Sequence, residues 1–306
     1  MILVTGATGT VGRLALERLP ADCAVRVLAR DPSRVAVPRK GVEVVRADYR
    51  DPASLGKALR GVHRALLVTS RVGGDDDVVF LRAARRAGVR RVTKLSAAAV
   101  VDVRAQDLIT RWQRDCEAAL TSSGLEWTLL RPRAFMSNVL SWASSVRTES
   151  LVRGLYGHAP NACVHPRDIA DVAVLALTED GHAGRAYTLT GPQPLSAVEQ
   201  VEQLAEVLGR RLRFEEMEPP QARAALLRRH SGSMADALLD SALRQKAGSK
   251  AQVLDTVRAV TGGEPRSFRS WAQEHAGAFG PAREQATRST KFSERGSPLT
   301  GHAVSL

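Results

Sequence analysis

The sequence predicts an α/β fold, with a doubly wound parallel sheet and a smaller, mostly helical C-terminal lobe. In the first half, short β-branched runs alternate with amphipathic helical stretches, which is typical of a parallel sheet covered by helices on both faces. Near the start of the chain, glycines at three-residue spacing (Gly6, Gly9 and Gly12) separate the first predicted strand from the first predicted helix. The 306 residues allow one large domain and one smaller appendage.

The first half contains six predicted strands and four predicted helices. The strands are expected at residues 2–5, 24–29, 42–46, 65–69, 91–96 and 127–131. The helices are expected at residues 11–19, 52–59, 76–87 and 108–123. Turn residues separate these elements: Asp51-Pro52 precedes one helix, Gly88 follows another and Gly124 ends a third. Right-handed crossovers between the strands then give a Rossmann-type sheet.

After Pro132 the alternation is less regular. Helices are predicted at residues 135–146, 166–178 and 197–208, and short strands at 162–165 and 186–190. Residues 215–280 are arginine-rich and predicted to be helical, and 281–306 lack apolar periodicity and are expected to be disordered. The predicted domains are therefore a core at 1–150, a mixed region at 151–280 that completes this core and forms a substrate lobe, and a tail at 281–306.

Composition excludes several classes of protein. Hydrophobic residues make up 44% and charged residues 25%, which excludes a collagen-like or mostly disordered chain. No apolar run is long enough for a spanning helix, and the sequence opens on a strand pattern, so neither a membrane protein nor a secretory signal is expected. The three cysteines form no disulfide framework, so we expect a cytoplasmic protein.

The formal net charge of +12 raises the question of a nucleic-acid partner. Only six of the 44 basic residues are lysine, and the arginines are spread over the chain without basic runs interleaved with aromatic residues. This distribution favours a solvated surface over a nucleic-acid interface. The seven histidines show no metal-ligand spacing, so no metal site is predicted.

The glycine turn has the spacing of a dinucleotide-binding loop. Gly6 permits the tight strand-to-helix turn, Gly9 lets the backbone approach a pyrophosphate, and Gly12 allows close packing of helix on strand. The pyrophosphate would then lie on the helix N-terminus, beside Thr8, Thr10 and Val11. The alternative is a tight turn with only a structural role.

The motifs that follow the turn identify a family. The ordered set resembles the NmrA-like branch of the atypical short-chain dehydrogenases over residues 1–280, a group that includes quinone reductases, triphenylmethane-dye reductases and redox-sensing regulators. The segments that support the resemblance are Val27-Leu28-Ala29-Arg30-Asp31-Pro32, Ala47-Asp48-Tyr49, Leu67-Val68-Thr69-Ser70, Lys94-Leu95-Ser96-Ala97, Leu130-Arg131-Pro132, Phe135-Met136-Ser137-Asn138, His165-Pro166-Arg167-Asp168-Ile169-Ala170-Asp171 and Tyr187-Thr188-Leu189-Thr190-Gly191-Pro192.

The second strand ends on Arg30 followed by Asp31, which alone is ambiguous between a ribose 2′-phosphate and a 2′-hydroxyl. The resemblance indicates Arg30 as the phosphate-binding residue and therefore NADPH over NADH. Arg13 and Arg34 are either additional phosphate contacts or plain surface arginines.

Other cofactor contacts follow from the family pattern and from the strand ends. The resemblance assigns Asp48, with Tyr49 beside it, to the adenine, although Asp48 alternatively has a helix-capping role. Thr69 and Ser70 end the fourth strand at the carboxyl edge of the sheet, where their hydroxyls are expected to bond the nicotinamide ribose. Ser96 ends the fifth strand and is expected to face the nicotinamide or the substrate.

The usual proton donor of short-chain dehydrogenases, a Tyr-x-x-x-Lys pair, is absent. The residues four positions after Tyr49, Tyr156 and Tyr187 are alanine, proline and glycine. A quinone or another conjugated acceptor needs less acid catalysis, because the product anion is stabilised. Ser96 and Lys94 are the candidate catalytic residues, although a buried Lys94 is equally expected as a paired structural residue.

The substrate pocket is predicted after the Arg131-Pro132 corner, from Phe135, Met136, Asn138 and Trp142. Core packing is the alternative for Phe135 and Met136. The predicted function is NADPH-dependent hydride transfer to a quinone-like or conjugated aromatic acceptor, as in a tailoring step of secondary metabolism. The alternative is a non-catalytic redox sensor that binds the dinucleotide and acts through a protein partner.

Overall fold

The computed structural model describes residues 1–37 and 40–280. Its strands, in chain order, are β1 (Ile2–Val4), β2 (Val25–Ala29), β3 (Val42–Arg46), β4 (Arg64–Leu67), β5 (Arg91–Leu95), β6 (Glu126–Pro132), β7 (Leu151–Gly154), β8 (Arg185–Leu189) and β9 (Arg213–Glu216). Seven of them form one parallel sheet in the order β3-β2-β1-β4-β5-β6-β8, and β7 pairs with β9 in a separate parallel ribbon.

The helices surround this sheet. In chain order they are α1 (Thr10–Arg18), α2 (Pro52–Ala58), α3 (Asp76–Arg86), α4 (Leu108–Thr121), α5 (Ala143–Glu149), α6 (Pro166–Thr178), α7 (Ala197–Leu208), α8 (Pro219–Leu227), α9 (Gly232–Lys246), α10 (Thr256–Thr261) and α11 (Phe268–His275). Shorter 3₁₀ turns lie at Pro32–Arg34, Ala98–Val101, Met136–Trp142 and Ala276–Ala278.

The sheet reverses its strand order beside β1, which pairs with β2 on one side and with β4 on the other. In open α/β sheets, ligands bind outside the carboxyl ends of the strands at such a switch point. The glycine turn leaves β1 at this position. The predicted doubly wound sheet is therefore confirmed, with the switch point where the sequence places its loop.

Two apolar layers sandwich the sheet. On one face α1, α6 and α10 pack in a cluster that includes Leu16 and Ile169. On the other face α2, α3 and α4 pack around Phe80 and Leu120. The strands are short and rich in valine and leucine because both of their faces are covered.

A third cluster lies outside the sheet. Trp271, Phe268 and Phe279 pack with Leu204 of α7 beside the β7–β9 ribbon. The region after residue 150 therefore contributes to the main sheet, through α6 and β8, and forms a second lobe that contains this third cluster.

Three local predictions need correction. The strand predicted at 162–165 is reduced to a single bridge between Val164 and Phe135. The helix predicted at 135–146 is a 3₁₀ turn followed by α5. Neither β7 nor β9 is among the strands predicted from the sequence. β9 includes the first residues of the stretch predicted to be helical. Both strands have only four residues, and their pairing joins segments about 60 residues apart, so no local pattern reports it.

Among the described helices, none has the length and apolar character needed to cross a bilayer. The segment predicted to be a disordered tail, 281–306, lies outside the described residues.

Candidate functional site

The glycine turn is held in a geometry that excludes side chains at two positions. Gly6 has φ +64°, and a Cβ there would lie 2.8 Å from the Cβ of Val68. A Cβ on Gly12 would lie 2.4 Å from the carbonyl oxygen of Gly6. At Gly9 the corresponding distance to the same oxygen is 3.3 Å. The turn thus packs α1 directly against the backbone that leaves β1, as the spacing predicts.

The N-terminus of α1 is open to a ligand. Gly9 is its N-cap, no side chain caps the helix, and its first turn contains no acidic residue. Thr8 is exposed and Thr10 is half-buried, whereas Val11 is buried in the core. Uncapped N–H groups at the positive end of a helix dipole fit a pyrophosphate. This part of the chain therefore has the cradle that a dinucleotide requires.

Thr5 joins the turn to the neighbouring strand. Its hydroxyl lies 3.1 Å from the carbonyl oxygen of Leu66 and accepts the N–H of Val68 at 2.8 Å. Thr5 is fully buried. This role is not predicted from the sequence, because only the three-dimensional structure shows that a polar side chain here links β1 to β4.

The basic and acidic residues after β2 have different surroundings. Asp31 caps the following 3₁₀ turn and accepts both the N–H and the hydroxyl of Ser33, which lowers its pKa. Arg30 is exposed and forms no ion pair within the described residues. Arg13 instead pairs with Glu17 at 2.6 Å. Of these side chains, Arg30 has the guanidinium available for a phosphate.

Asp48 and Tyr49 follow β3, but both already have partners. The Asp48 carboxylate accepts from the backbone N–H and the guanidinium of Arg50, and these bonds lower the pKa of Asp48 to about 2. Tyr49 packs edge-on against Phe80, with ring centroids 6.3 Å apart, and burial raises its pKa. The adenine contact of this pair stays a prediction, and a bound adenine would share Asp48 with Arg50.

Lys94 lies in a buried ion pair beneath the carboxyl edge of the sheet. Its Nζ is 2.6 Å from Oδ1 of Asp77 and donates to the carbonyl oxygen of Leu95 at 3.2 Å. Thr69 donates its hydroxyl to the other oxygen of Asp77 at 2.6 Å. The side chains of Lys94 and Asp77 are 0% and 1% exposed. In this arrangement Lys94 holds the end of β4 against α3, while Ser70 is exposed beside it.

Ser96 begins a second polar chain on the same side of the sheet. Its hydroxyl donates to Oε1 of Glu117 at 2.6 Å, and Arg131 binds both oxygens of that carboxylate at 2.9 and 2.6 Å. Gln113 lies one turn before Glu117 on α4, and its buried Oε1 has no hydrogen-bond partner among the described residues. Ser96 is among the residues predicted from the sequence, whereas the role of Glu117 depends on partners from the end of β5 and from β6, which only the folded chain brings together.

The four residues predicted for the substrate pocket are dispersed. Phe135 packs in the core beneath α1 and α6, and Met136 packs in the third cluster. Both are buried, which is the core-packing alternative. Asn138 is exposed, and Trp142 is partly buried against the third cluster. A cavity of about 840 Å³ opens elsewhere in the second lobe, and none of the four lines it.

His165 and the acidic residues of α6 have structural partners. His165 is buried and accepts the N–H of Arg167 through Nδ1 as the N-cap of α6. Burial and nearby arginines lower its pKa to about 3, so the ring is neutral. Asp168 and Asp171 both bind Arg266, which fixes the segment before α11.

Comparisons with known proteins agree with this geometry. A family model described as NAD(P)H-binding matches residues 6–180. A (4-alkanoyl-5-oxo-2,5-dihydrofuran-3-yl)methyl phosphate reductase of Streptomyces griseus is 53% identical over 281 residues, which are 92% of this chain and 100% of that protein. An NAD(P)H azoreductase of Xenophilus azovorans is 35% identical over 288 residues, 92% of this chain and 100% of that protein.

A solved structure shows the same architecture. The crystal structure of the NADPH-dependent quinone oxidoreductase of Escherichia coli in complex with NADPH has a TM-score of 0.79 and 26% sequence identity. The match covers 90% of this chain and 99% of that one. The likeness therefore includes the second lobe as well as the sheet.

Proposed function

The chain belongs to the NAD(P)H-binding family, as an NAD(P)H-dependent oxidoreductase of the NmrA-like, atypical short-chain dehydrogenase type, and we propose that its hydride acceptor is an electron-poor conjugated carbonyl compound. The class of acceptor includes quinones and alkanoyl-butenolides. In both, a C=C bond is conjugated with two carbonyl groups, so that both take up a hydride without prior protonation.

The Ser96–Glu117–Arg131 chain is the observation that favours this acceptor. The Ser96 proton is committed to Glu117, and the guanidinium of Arg131 holds that carboxylate in place. The sequence contains no Tyr-x-x-x-Lys pair, and Lys94 is bound to Asp77. Neither of the two candidate catalytic residues, Ser96 and Lys94, is thus a free acid for a carbonyl oxygen. Such a site suits an acceptor whose own carbonyl groups stabilise the developing negative charge.

The name of the Streptomyces griseus relative describes such an acceptor: a five-membered lactone whose ring C=C bond bears an alkanoyl group. A hydride adds to the ring carbon β to both carbonyl groups, and the π electrons move onto the carbon between them. That enolate is spread over two oxygens and takes its proton from water. NADPH, when bound, supplies the hydride and is converted to NADP⁺.

The chain's own residues would position the two reactants. The backbone of Gly6, Thr8, Gly9, Thr10, Val11 and Gly12 would bind the pyrophosphate, and Arg30 the 2′-phosphate that distinguishes NADPH from NADH. Thr69 and Ser70 lie at the end of β4 for the ribose, and Ser96 lies one strand further for the nicotinamide. Because the Ser96 hydroxyl donates its proton to Glu117, its oxygen would act toward the nicotinamide as a hydrogen-bond acceptor.

A three-acceptor assay tests the proposal. The purified protein is given NADPH together with a quinone, an alkanoyl-butenolide or a simple saturated ketone, and NADPH absorbance is followed. We expect turnover with the first two and none with the ketone, because only the first two stabilise the anion. Turnover of the ketone would show that the site supplies a proton donor to the carbonyl oxygen, and would contradict the proposal. A bound but unoxidised NADPH would favour the redox-sensor alternative.

A further inference from the structure

Three cationic side chains meet where the end of β6 faces the end of α9. Arg133 follows β6 directly and donates to the carbonyl oxygen of Ser249 at 3.3 Å. Lys250 is the next residue, and its Nζ donates to the hydroxyl of Ser241 on α9 at 2.7 Å. Arg244, near the end of α9, completes the group, which we call the Arg133 cluster (Arg133, Arg244 and Lys250). The sheet and the second lobe both contribute to it.

The cluster has more positive than negative charge. Arg244 binds Asp107 at 2.7 Å, but Arg133 and Lys250 form no ion pair with any of the residues that the structure describes. The Nε of Arg133 is buried and has no hydrogen-bond partner there. Asp102 is the carboxylate that acts electrostatically on Arg133, and it is already bonded to Arg104. Half-buried cations without counter-ions are unfavourable unless a ligand supplies the negative charge.

The ionisation of Lys250 agrees with this imbalance. Burial lowers the pKa of Lys250 to about 8, and the positive charges of Arg244 and Arg133 contribute to this decrease. The other groups that act on it are Asp107 and Cys163, and burial raises the pKa of the Cys163 thiol to about 11. Near neutral pH the thiol thus contributes no negative charge, and Asp107 is already shared with Arg244.

The cluster is too far from the glycine turn to bind the phosphates of the dinucleotide. Three strand spacings separate β6 from β1 in the sheet, or about 14 Å. Ser96, by contrast, follows β5, which is the neighbour of β6, about 5 Å away. The register places Ser96 opposite Arg131, two residues before Arg133, so a small molecule near Ser96 would have to extend about 7 Å along β6 to reach Arg133.

We propose that Arg133 and Lys250 bind a phosphate monoester group of the hydride acceptor. This inference rests on the proposed function, which places the acceptor at the Ser96 edge. The name of the Streptomyces griseus relative contains a methyl phosphate next to the conjugated ring, and its ring and its phosphate are one carbon apart. The fork of a guanidinium matches two phosphate oxygens, and an ammonium supplies a second, compact charge. The phosphate then orients the ring for hydride transfer and sets specificity.

The test compares two acceptors that differ only in the phosphate: a (4-alkanoyl-5-oxo-2,5-dihydrofuran-3-yl)methyl phosphate and the corresponding alcohol. We expect kcat/KM for the phosphate to exceed that for the alcohol by at least about 100-fold, since two cationic side chains bind it and each charged hydrogen bond, at about 1.5–3 kcal/mol, corresponds to about 10- to 150-fold. Arg133→Met and Lys250→Met should each reduce this ratio at least about tenfold. The matched control is Lys246→Met, because Lys246 is an exposed lysine four residues before Lys250.

Calorimetric titration of the phosphate into the NADP⁺-saturated protein separates this inference from the proposed function. Tight binding that Arg133→Met abolishes supports the site even if no acceptor is reduced. A ratio that Arg133→Met and Lys250→Met leave unchanged, or that Lys246→Met lowers equally, overturns the proposal. Arg133→Lys, which keeps the charge but not the fork, should retain part of the ratio and excludes simple misfolding as the cause of a loss.

Discussion

Replacing Asp77 by asparagine removes one charge from the buried Lys94–Asp77 ion pair while preserving the size of the side chain. The Thr69 hydroxyl still has a carbonyl oxygen to which it can donate. Lys94, however, keeps its ammonium at a site that is 0% exposed, 2.6 Å from a group that no longer carries a charge. The resulting change in the free energy of unfolding therefore measures how much the negative charge of Asp77 stabilises the protein.

The magnitude follows from the burial of both partners. Breaking a buried pair by removing one partner costs about 3–5 kcal/mol, because the remaining charge has neither water nor a counter-ion. For a domain of this size each kcal/mol shifts the melting temperature by about 2–4 °C, which gives a decrease of about 6–20 °C. The Asp77→Asn/Lys94→Met double variant removes both charges and should recover most of this loss.

Chemical denaturation of the two single variants and the double variant measures these differences as a double-mutant cycle. The kcat of the double variant, corrected for the folded fraction, then tests whether Lys94 has a catalytic role. A general acid contributes about 10²–10⁴-fold, so a structural Lys94 leaves kcat within about tenfold of the wild type. A loss beyond 100-fold in a well-folded double variant would refute the structural assignment, as would an Asp77→Asn destabilisation below about 1 kcal/mol.

Three further predictions concern the cofactor edge and α6. Arg30→Glu should lower the NADPH-to-NADH ratio of kcat/KM by roughly 10- to 150-fold, because it removes charged hydrogen bonds to the 2′-phosphate. Gly12→Ala, whose Cβ would lie 2.4 Å from the oxygen of Gly6, should abolish NADPH binding in titrations, while Gly9→Ala, at 3.3 Å, should weaken it. The pKa of His165, about 3 in the folded protein, predicts stability that is complete above pH ~6.5 and decreases as pH falls toward 3, since the unfolded chain binds the additional proton. His165→Asn, which retains a helix cap, should flatten that decrease in denaturation curves.

A specific result would contradict each of these three predictions. An unchanged cofactor ratio in Arg30→Glu would assign the 2′-phosphate to another residue, and Arg34→Glu would then test the next candidate. Equal effects at Gly9 and Gly12 would contradict the close approach of α1 to the turn. A pH dependence that persists in His165→Asn would have its origin in carboxylates.

For several site residues, the sequence predicts the position along the chain, but only the tertiary structure shows where the side chain points and what it binds. Phe135 and Met136 follow the Arg131-Pro132 corner as predicted, yet both turn into the core. Asp48 is in the predicted position after β3, but the neighbouring Arg50 already binds its carboxylate. In each case the pattern fixed the place along the chain and left the direction and partner of the side chain open.

What the sequence alone determined is the local geometry. The glycine spacing specified the β1–α1 turn, because only residues without a Cβ fit there. The apolar alternation specified β3 and α6 with the bounds found in the structure, because strands and helices bury one face or both at a fixed period. These are properties of neighbouring residues, and a sequence displays them directly.

The tertiary structure alone decided which distant residues meet. It joined Ser96 to Glu117 across 21 positions, β7 to β9 across about 60, and Arg133 to the segment at Ser249 across 116. No periodicity links such residues, because their approach depends on how whole strands and helices pack and on which buried charge finds a partner. The proposed chemistry of this protein therefore depends on contacts that form only once the sheet and the second lobe are assembled.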